Sequence, residues 1–208
     1  MSALISLNPM QTTNAAGLFS TNSTGYTQGD AVDDPAVKFY LAGGVYNASA
    51  TQPIWGGIPI QEIIPGVTGT PGTDVLGSTI NIATDVSGGL STGICVFNQA
   101  YGGITTPQSN APLFTAGMSV NYYRFGSGAR IPVPCDSTIV ALDGSSVAET
   151  VYWNYSTNLL TATNPGTQTA LPVKILRVSA SGNKTVSYNS GTNTANWITT
   201  QAVALILI

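Results

Sequence analysis

The side chains that carry most acid–base and metal chemistry are sparse in this sequence. It contains no histidine, only two cysteines and nine acidic residues. Without histidine there is no Ser-His-Asp triad, no Cys-His pair and no histidine metal site. A glycosidase needs two carboxylates at a set separation, and no local pattern among the acidic residues marks such a pair. We therefore expect a protein that is not an enzyme and that uses no cofactor and no metal.

The remaining polar motifs have ordinary local explanations. The glycine-rich GSGAR follows a predicted strand and lacks the lysine of a phosphate-binding loop. Asp136, Asp143 and Glu149 lie next to predicted turns, where acidic side chains commonly bond to nearby backbone. Arg124 and Arg130 flank another predicted turn, where they either solvate the turn or grip a carboxylate on a partner.

The two cysteines, Cys95 and Cys135, are expected to be reduced and at least partly buried. The first twenty residues lack the basic region and the long apolar core of a signal peptide. The terminal AVALILI is far shorter than the roughly 20 residues that span a bilayer as a helix. These features predict a chain made in the cytoplasm and not exported by the standard route, where a disulfide is not favoured.

Charged residues make up only 7% of the chain, and the formal net charge is −3. Six cations scattered along the sequence predict no basic stripe for nucleic acid. They also form no basic amphipathic helix for a membrane surface. Because 43% of the residues are hydrophobic, disorder is not predicted either. A neutral surface rich in Thr, Ser and Asn suits a β-rich protein that stays in contact with other proteins.

The aromatic residues offer a binding alternative, because three tryptophans and nine tyrosines could form a platform for a sugar. In TVYWNYS, strand alternation places Trp153 and Tyr155 on one face. We predict that Trp153 and Trp197 lie in the core. Trp55 lies in PIWGGIPIQEIIPG, whose glycines and prolines are typical of a loop, and is predicted to be a contact residue instead.

The N-terminal part shows two features. Residues 1–32 have no periodicity and are predicted to form an extended arm that is ordered only when something else holds it. DDPAVKFYLAGG then predicts one short helix from about 34 to 42. Asp33 or Asp34 would cap this helix, and Gly43 would stop it.

The remainder, 33–208, is predicted to be a single, mainly all-β domain. Many short strands separated by turn residues indicate a β-sandwich of jelly-roll type or a small β-barrel. MSVNYYRFG and ARIPVPC are predicted to form a hairpin around GSG, and STIVAL is predicted to be a strand. The uncharged AVALILI is predicted to lie in the middle of a sheet, because such a strand at an exposed edge would aggregate. Long contact loops are expected within 44–116.

Several long stretches, read together, resemble one known family. They are LNPMQTTNAAGLFSTNSTGYTQGDAVDDPAVKFYLAGGV, PIWGGIPIQEIIPG and VFNQAYGGITTPQSNAPLFTAGMSVNYYRFGSGARIPV, followed by a β-rich tail ending ALILI. Together they resemble the head decoration, or cement, proteins of tailed bacteriophages. The resemblance spans most of the chain and is compositional and positional rather than chemical.

This resemblance implies a β-sandwich or small β-barrel that is made in the host cytoplasm and binds the outside of the assembled capsid. Its implied partners are the major capsid protein and two further copies of itself in a trimer, with neither nucleic acid nor membrane. PIWGGIPIQEIIPG would be a stiff contact loop anchored by Trp55, with prolines reducing its ordering cost. The candidate interface residues are Trp55, Gly56, Gly57, Ile58, Pro59, Ile60, Tyr101, Arg124 and Arg130.

Two other classes of protein remain open on the sequence. One is a carbohydrate-binding β-sandwich, as on a phage fibre. The other is a shell or tail-tube subunit, which would usually have longer helices and more charge.

Overall fold

A computed structural model describes residues 25–31, 36–63, 78–82, 90–97, 110–143 and 150–208. The predicted all-β class is confirmed, because strands dominate the described residues and the helical segments there are one 3-10 turn, Val37–Tyr40, and one short helix, α1 (Ser137–Val140). The strands in chain order are β1 (Leu41–Tyr46), β2 (Pro59–Ile63), β3 (Ser78–Ile82), β4 (Gly93–Val96), β5 (Ser119–Arg124), β6 (Arg130–Pro134), β7 (Tyr152–Asn154), β8 (Leu159–Thr161), β9 (Lys174–Ser179), β10 (Thr185–Asn189), β11 (Thr194–Ile198) and β12 (Val203–Leu207).

The first five strands close into a small barrel in the order β1-β3-β2-β4-β5, and β5 pairs back to β1. β1 and β3 run parallel, whereas the other neighbours are antiparallel. Residues opposite each other across a ladder share a face. The register therefore fills the barrel with one set of fully buried side chains: Tyr46, Ile60, Ile80, Cys95, Val120 and Tyr122.

The second half of the chain forms a three-stranded sheet, β6-β12-β9, and two hairpins, β7-β8 and β10-β11. β12 lies between β6 and β9, so the prediction that the last strand is central is confirmed. Pro132 and Pro134 have no N–H to give to a ladder, which suits β6 to the edge of this sheet. Trp153 is buried as predicted, while Trp197 is half-buried and packs against the core.

Two hairpins use the same asparagine turn. The Oδ1 atoms of Asn154 and Asn189 each accept hydrogen bonds from the backbone N–H groups two and three residues further on. Each turn then ends on a second asparagine with positive φ, Asn158 at 55° and Asn193 at 56°. Asparagine tolerates this left-handed conformation better than most residues do, so N-x-x-x-N sets the register of both hairpins.

Two predictions of local secondary structure, the helix over 34–42 and the strand in STIVAL, are wrong. The helix predicted over 34–42 is a 3-10 turn followed by β1, and Gly43 lies inside that strand; residues 32–35, with both proposed caps, lie outside the described residues. The barrel decides this, because β1 makes ladders on both of its edges. STIVAL contains α1, because the Asp136 side chain accepts hydrogen bonds from the N–H groups of Thr138 and Ile139 and so caps a helix.

The predicted β5-β6 hairpin does not form either. β5 pairs with β1 and β4, whereas β6 pairs with β12. Between them, Gly126 and Gly128 adopt positive φ, which lets the chain turn out of the barrel into the second sheet. The Gly128 N–H donates to the Ile208 carbonyl at 2.7 Å and the Ile208 N–H donates to the Ala129 carbonyl at 2.9 Å, so the residue after β12 holds this corner in addition to its local hydrogen bonds.

The predicted arm extends too far along the chain, because residues 25–31 are part of the fold. We call these residues the N-terminal strap. The Gln28 side chain is fully buried and donates to the Gly56 carbonyl at 3.0 Å, while its oxygen accepts from the Val186 N–H at 2.9 Å. Gly29 donates to the Pro132 carbonyl at 2.8 Å. The strap therefore joins the barrel to β6 and β10; residues 1–24 lie outside the described residues.

Candidate contact surface at the barrel mouth

PIWGGIPIQEIIPG, the stretch predicted to be a contact loop, is buried from Ile54 to Ile60 and becomes exposed only at Ile63. Trp55 is only 4% exposed, and its ring lies 5.4 Å from that of Tyr188. Ile58 and Ile60 are buried, and Pro59–Ile63 is the barrel strand β2. The predicted exposed anchor at Trp55 is therefore wrong, as is the contact loop around it.

The two glycines of this stretch serve packing rather than contact with a partner. A Cβ on Gly56 would lie 2.5 Å from the Phe97 ring, so glycine is needed for that ring to pack there. Gly57 has a φ of 85°, and its N–H donates to the Cys95 carbonyl at 2.7 Å. The glycines that indicated a loop thus allow close approach of backbone and ring inside the fold.

One end of the barrel, which we call the barrel mouth, is closed by an ion pair. Arg124 makes a two-pronged contact with Glu62, with Nε–Oε2 and Nη2–Oε1 distances of 2.6 Å. The Ser78 hydroxyl donates to the same carboxylate at 2.5 Å. The Glu62 side chain is 4% exposed, whereas that of Arg124 is 54% exposed. The carboxylate therefore faces inward and the guanidinium closes the mouth toward solvent.

The ion pair fixes the protonation of the mouth. Its hydrogen bonds with Arg124 lower the pKa of Glu62 to about 2. Tyr122, whose ring lies 5.8 Å beneath the Arg124 guanidinium, has its pKa raised to about 12 by burial. At neutral pH the carboxylate is ionised and the phenol protonated, so neither is poised to exchange a proton with a substrate.

The ion pair predicts a specific loss of stability in acid. Because the folded pKa of Glu62 is lower than its unfolded value, its contribution is complete above pH 4.5 and is lost as the pH falls toward 2. We expect this contribution to be about 1–2 kcal/mol, since Arg124 is solvent-screened. Urea unfolding from pH 7 to pH 2 should show wild type losing its advantage over Glu62→Gln within this window. A constant difference between the two proteins would contradict the role of the pair.

Two aromatic side chains stand exposed beside the mouth. Phe39 is 90% exposed and Tyr40 is 62% exposed, the two highest values among the exposed large hydrophobic residues of the described chain. They line an open cleft of about 480 Å³ together with Leu41, Ala42, Gly43, Arg124, Phe125, Gly126 and Ser127. We call Phe39, Tyr40 and Arg124 the mouth patch. Aromatic residues and arginine are the side chains most enriched at the energetic centres of protein interfaces.

The other candidate residues are dispersed by the fold. Arg124 does bind a carboxylate, but that of its own chain, Glu62. Arg130 is exposed at the start of β6, in the other sheet. Tyr101 lies outside the described residues. Sequence reasoning missed Phe39 and Tyr40 because it placed them in a helix; their adjacency in KFY, which gives two neighbouring aromatic residues and a cation, was the available signal.

Both cysteines are free and buried, in agreement with the expectation from sequence. Burial raises the pKa of the Cys95 thiol, and it raises that of Cys135 to about 12. In the described part of the chain, no three His, Cys, Asp or Glu side chains are grouped so as to hold a metal ion. No helix there is long and apolar enough to cross a membrane.

Three strands each have one backbone N–H group bonded by a side chain from elsewhere in the sequence. Besides Gln28 on β10, the Asn110 Oδ1 accepts from the Trp197 N–H at 2.7 Å on β11, and the Asp143 Oδ1 accepts from the Val178 N–H at 3.0 Å on β9. An N–H group bonded in this way is not free to pair with another strand. Contacts with partners are therefore expected through faces and the barrel mouth rather than through strand addition at these N–H groups.

A scan against protein-family models and searches of curated proteins and of solved structures found no match to this chain.

Proposed function

We propose that this protein is a structural component of a bacteriophage particle, a head decoration protein that binds the outer surface of the capsid and bridges major capsid subunits. The observation that carries the proposal is the mouth patch: two strongly exposed aromatic residues next to an arginine, all held on a closed barrel. The sequence resemblance to decoration proteins supports it over most of the chain.

The physical basis is rigidity combined with repetition. The barrel fixes Arg124, which ends β5 and is held by two hydrogen bonds with Glu62, and Phe39 and Tyr40 lie in the 3-10 turn directly before β1. Such ordering before binding lowers the conformational freedom lost on contact. The internal Glu62–Arg124 pair leaves the patch without net charge, so neutral contacts dominate. Each copy can then bind weakly, because attachment of a trimer at several points multiplies affinity. In this proposal the protein has no enzymatic activity and uses no cofactor.

The test removes the aromatic residues and measures attachment. In Phe39→Ala/Tyr40→Ala, we expect co-sedimentation with expanded, undecorated phage heads to weaken at least about thirtyfold, because truncating even one anchor residue typically costs about 2 kcal/mol. The control is Val45→Ala, which truncates a 48% exposed apolar residue at the other end of β1. Equal binding by both variants would remove the mouth patch from the interface, and wild-type protein that fails to bind heads would overturn the proposed function.

A second candidate is a carbohydrate-binding module, favoured by the same open cleft with exposed aromatic rings. Sugars stack on exposed rings of this kind. This alternative would be supported if the protein is a monomer that binds sugars on a glycan array and does not bind phage heads.

A further inference from the structure

We infer that the outer face of the sheet β6-β12-β9 is a docking face for an acidic, partly apolar segment of another protein. This inference concerns a second surface and does not rest on the proposed function. It comes from where the fold places the few positive charges of the chain.

The ladder register brings three cations together. Arg130 lies opposite Leu207, which lies opposite Lys174. One step along the sheet, Leu205 lies opposite Arg177. The alternate positions, such as Ile131 and Ile206, are fully buried, whereas Arg130, Lys174 and Arg177 are exposed. On the same face Pro132, Pro134 and Val203 are buried, so the exposed part of the face is the part that carries the cations. Three of the six Lys and Arg residues of the chain therefore share one face.

A β-bulge adds a leucine to this face. The β9-β12 register shifts between Leu205 and Ile206, so Leu176 and Arg177 together oppose a single residue. Leu176 is 42% exposed. The face thus presents three cations interleaved with three leucines, which we call the cationic face: Arg130, Lys174, Arg177, Leu176, Leu205 and Leu207.

The cations of this face form no ion pair with the part of the chain that the structure describes. Arg130, Lys174 and Arg177 are all exposed. The nearby Asp143 carboxylate accepts a hydrogen bond from the β9 backbone instead. Among the described residues this face carries cations and no acidic side chain, so in a chain whose net charge is −3 it attracts negative charge selectively.

The composition of the face favours a polypeptide over a nucleic acid. Arginine forks fit carboxylates with two hydrogen bonds, and the leucines offer apolar contact that a phosphodiester backbone cannot use. Three cations would release few counterions from DNA, and the net negative charge opposes a long polyanion. Glutamate or aspartate residues interleaved with apolar residues match the face in both charge and pattern.

The test uses a synthetic peptide of about twelve residues that interleaves glutamate, leucine and serine, titrated against the full chain at low salt and followed by backbone NMR. We expect shift changes concentrated in β6, β9 and β12, and binding that weakens as salt increases. The same peptide with glutamine for glutamate should bind about tenfold more weakly or not at all.

Protein variants provide the matched comparison. Arg130→Gln/Lys174→Gln/Arg177→Gln should bind the acidic peptide at least about tenfold more weakly, with an unchanged melting temperature since all three side chains are exposed. Lys38→Gln, which removes a cation outside this face, should bind as wild type does. The inference is overturned if the triple variant binds normally, if the shifts map elsewhere, if no binding occurs at about millimolar peptide, or if an oligothymidine of equal length binds more tightly.

Discussion

Replacing Trp55 with alanine is expected to lower the free energy of unfolding by about 3–5 kcal/mol. The indole is 4% exposed and packs against Tyr188 in the continuous core. Its N–H makes no hydrogen bond with a described residue, so the loss comes from apolar packing and from the cavity that remains. Urea unfolding at neutral pH measures the change directly.

The matched control is Trp197→Ala. Trp197 is only half-buried, with its ring 5.7 Å from Phe97 in an edge-on contact, so its truncation should cost clearly less. If Trp55→Ala instead keeps the wild-type urea midpoint, the indole is not a core residue, and PIWGGIPIQEIIPG becomes a surface loop again.

Replacing Gly29 with alanine is expected to destabilise the protein by about 3–4 kcal/mol, through two additive causes. Gly29 has a φ of 72°, which disfavours any residue with a Cβ. The added Cβ would also lie 2.3 Å from the backbone carbonyl carbon of Gly56, which cannot move without displacing the backbone that leads into β2. Thermal and urea unfolding should both report the loss.

Gly117→Ala separates these causes. Gly117 has a similar φ of 80°, but a Cβ there would meet nothing within 4 Å. Its substitution should therefore cost only the backbone term, about 1–2 kcal/mol. If the two variants lose the same stability, the N-terminal strap is not packed against the barrel, and residues 25–31 belong to the extended arm that the sequence predicts.

These two results together bear on how the protein makes contact. If the strap and the Trp55 segment are both built into the fold, neither is available as a flexible anchor. The mouth patch and the cationic face then remain as proposed contact surfaces, and they differ in charge.

The sequence by itself determined the fold class and several elements. Alternation and turn residues located β5, β6, β7 and β12, although not the pairing of β5 and β6. The uncharged AVALILI correctly indicated a central strand, because an unprotected edge of that composition would aggregate. The positions of these strands depend on local sequence, and the central place of the last strand depends on a general rule about sheet edges. Both can therefore be predicted without knowing which residues pack against them.

Only the tertiary structure decided what Gly56 and Gly57 do and whether the helix predicted over 34–42 forms. Gly56 and Gly57 have the same local signature in a loop and at a close contact. What packs on them comes from distant parts of the chain, the Phe97 ring on Gly56 and the Gln28 side chain on Gly57. The segment from Leu41 is extended because β3 and β5 bond to both its edges, which outweighs a weak helical preference.

The charges show the same division most clearly. Composition established that cations are few, and their spacing along the chain predicted that they are scattered. The fold pairs Arg124 with Glu62, 62 residues away, and sets Arg130 beside Lys174 and Arg177 across the C-terminal strand. Long-range β pairing brings distant residues into one row, so a charge pattern on a β protein is fixed by strand order rather than by sequence spacing.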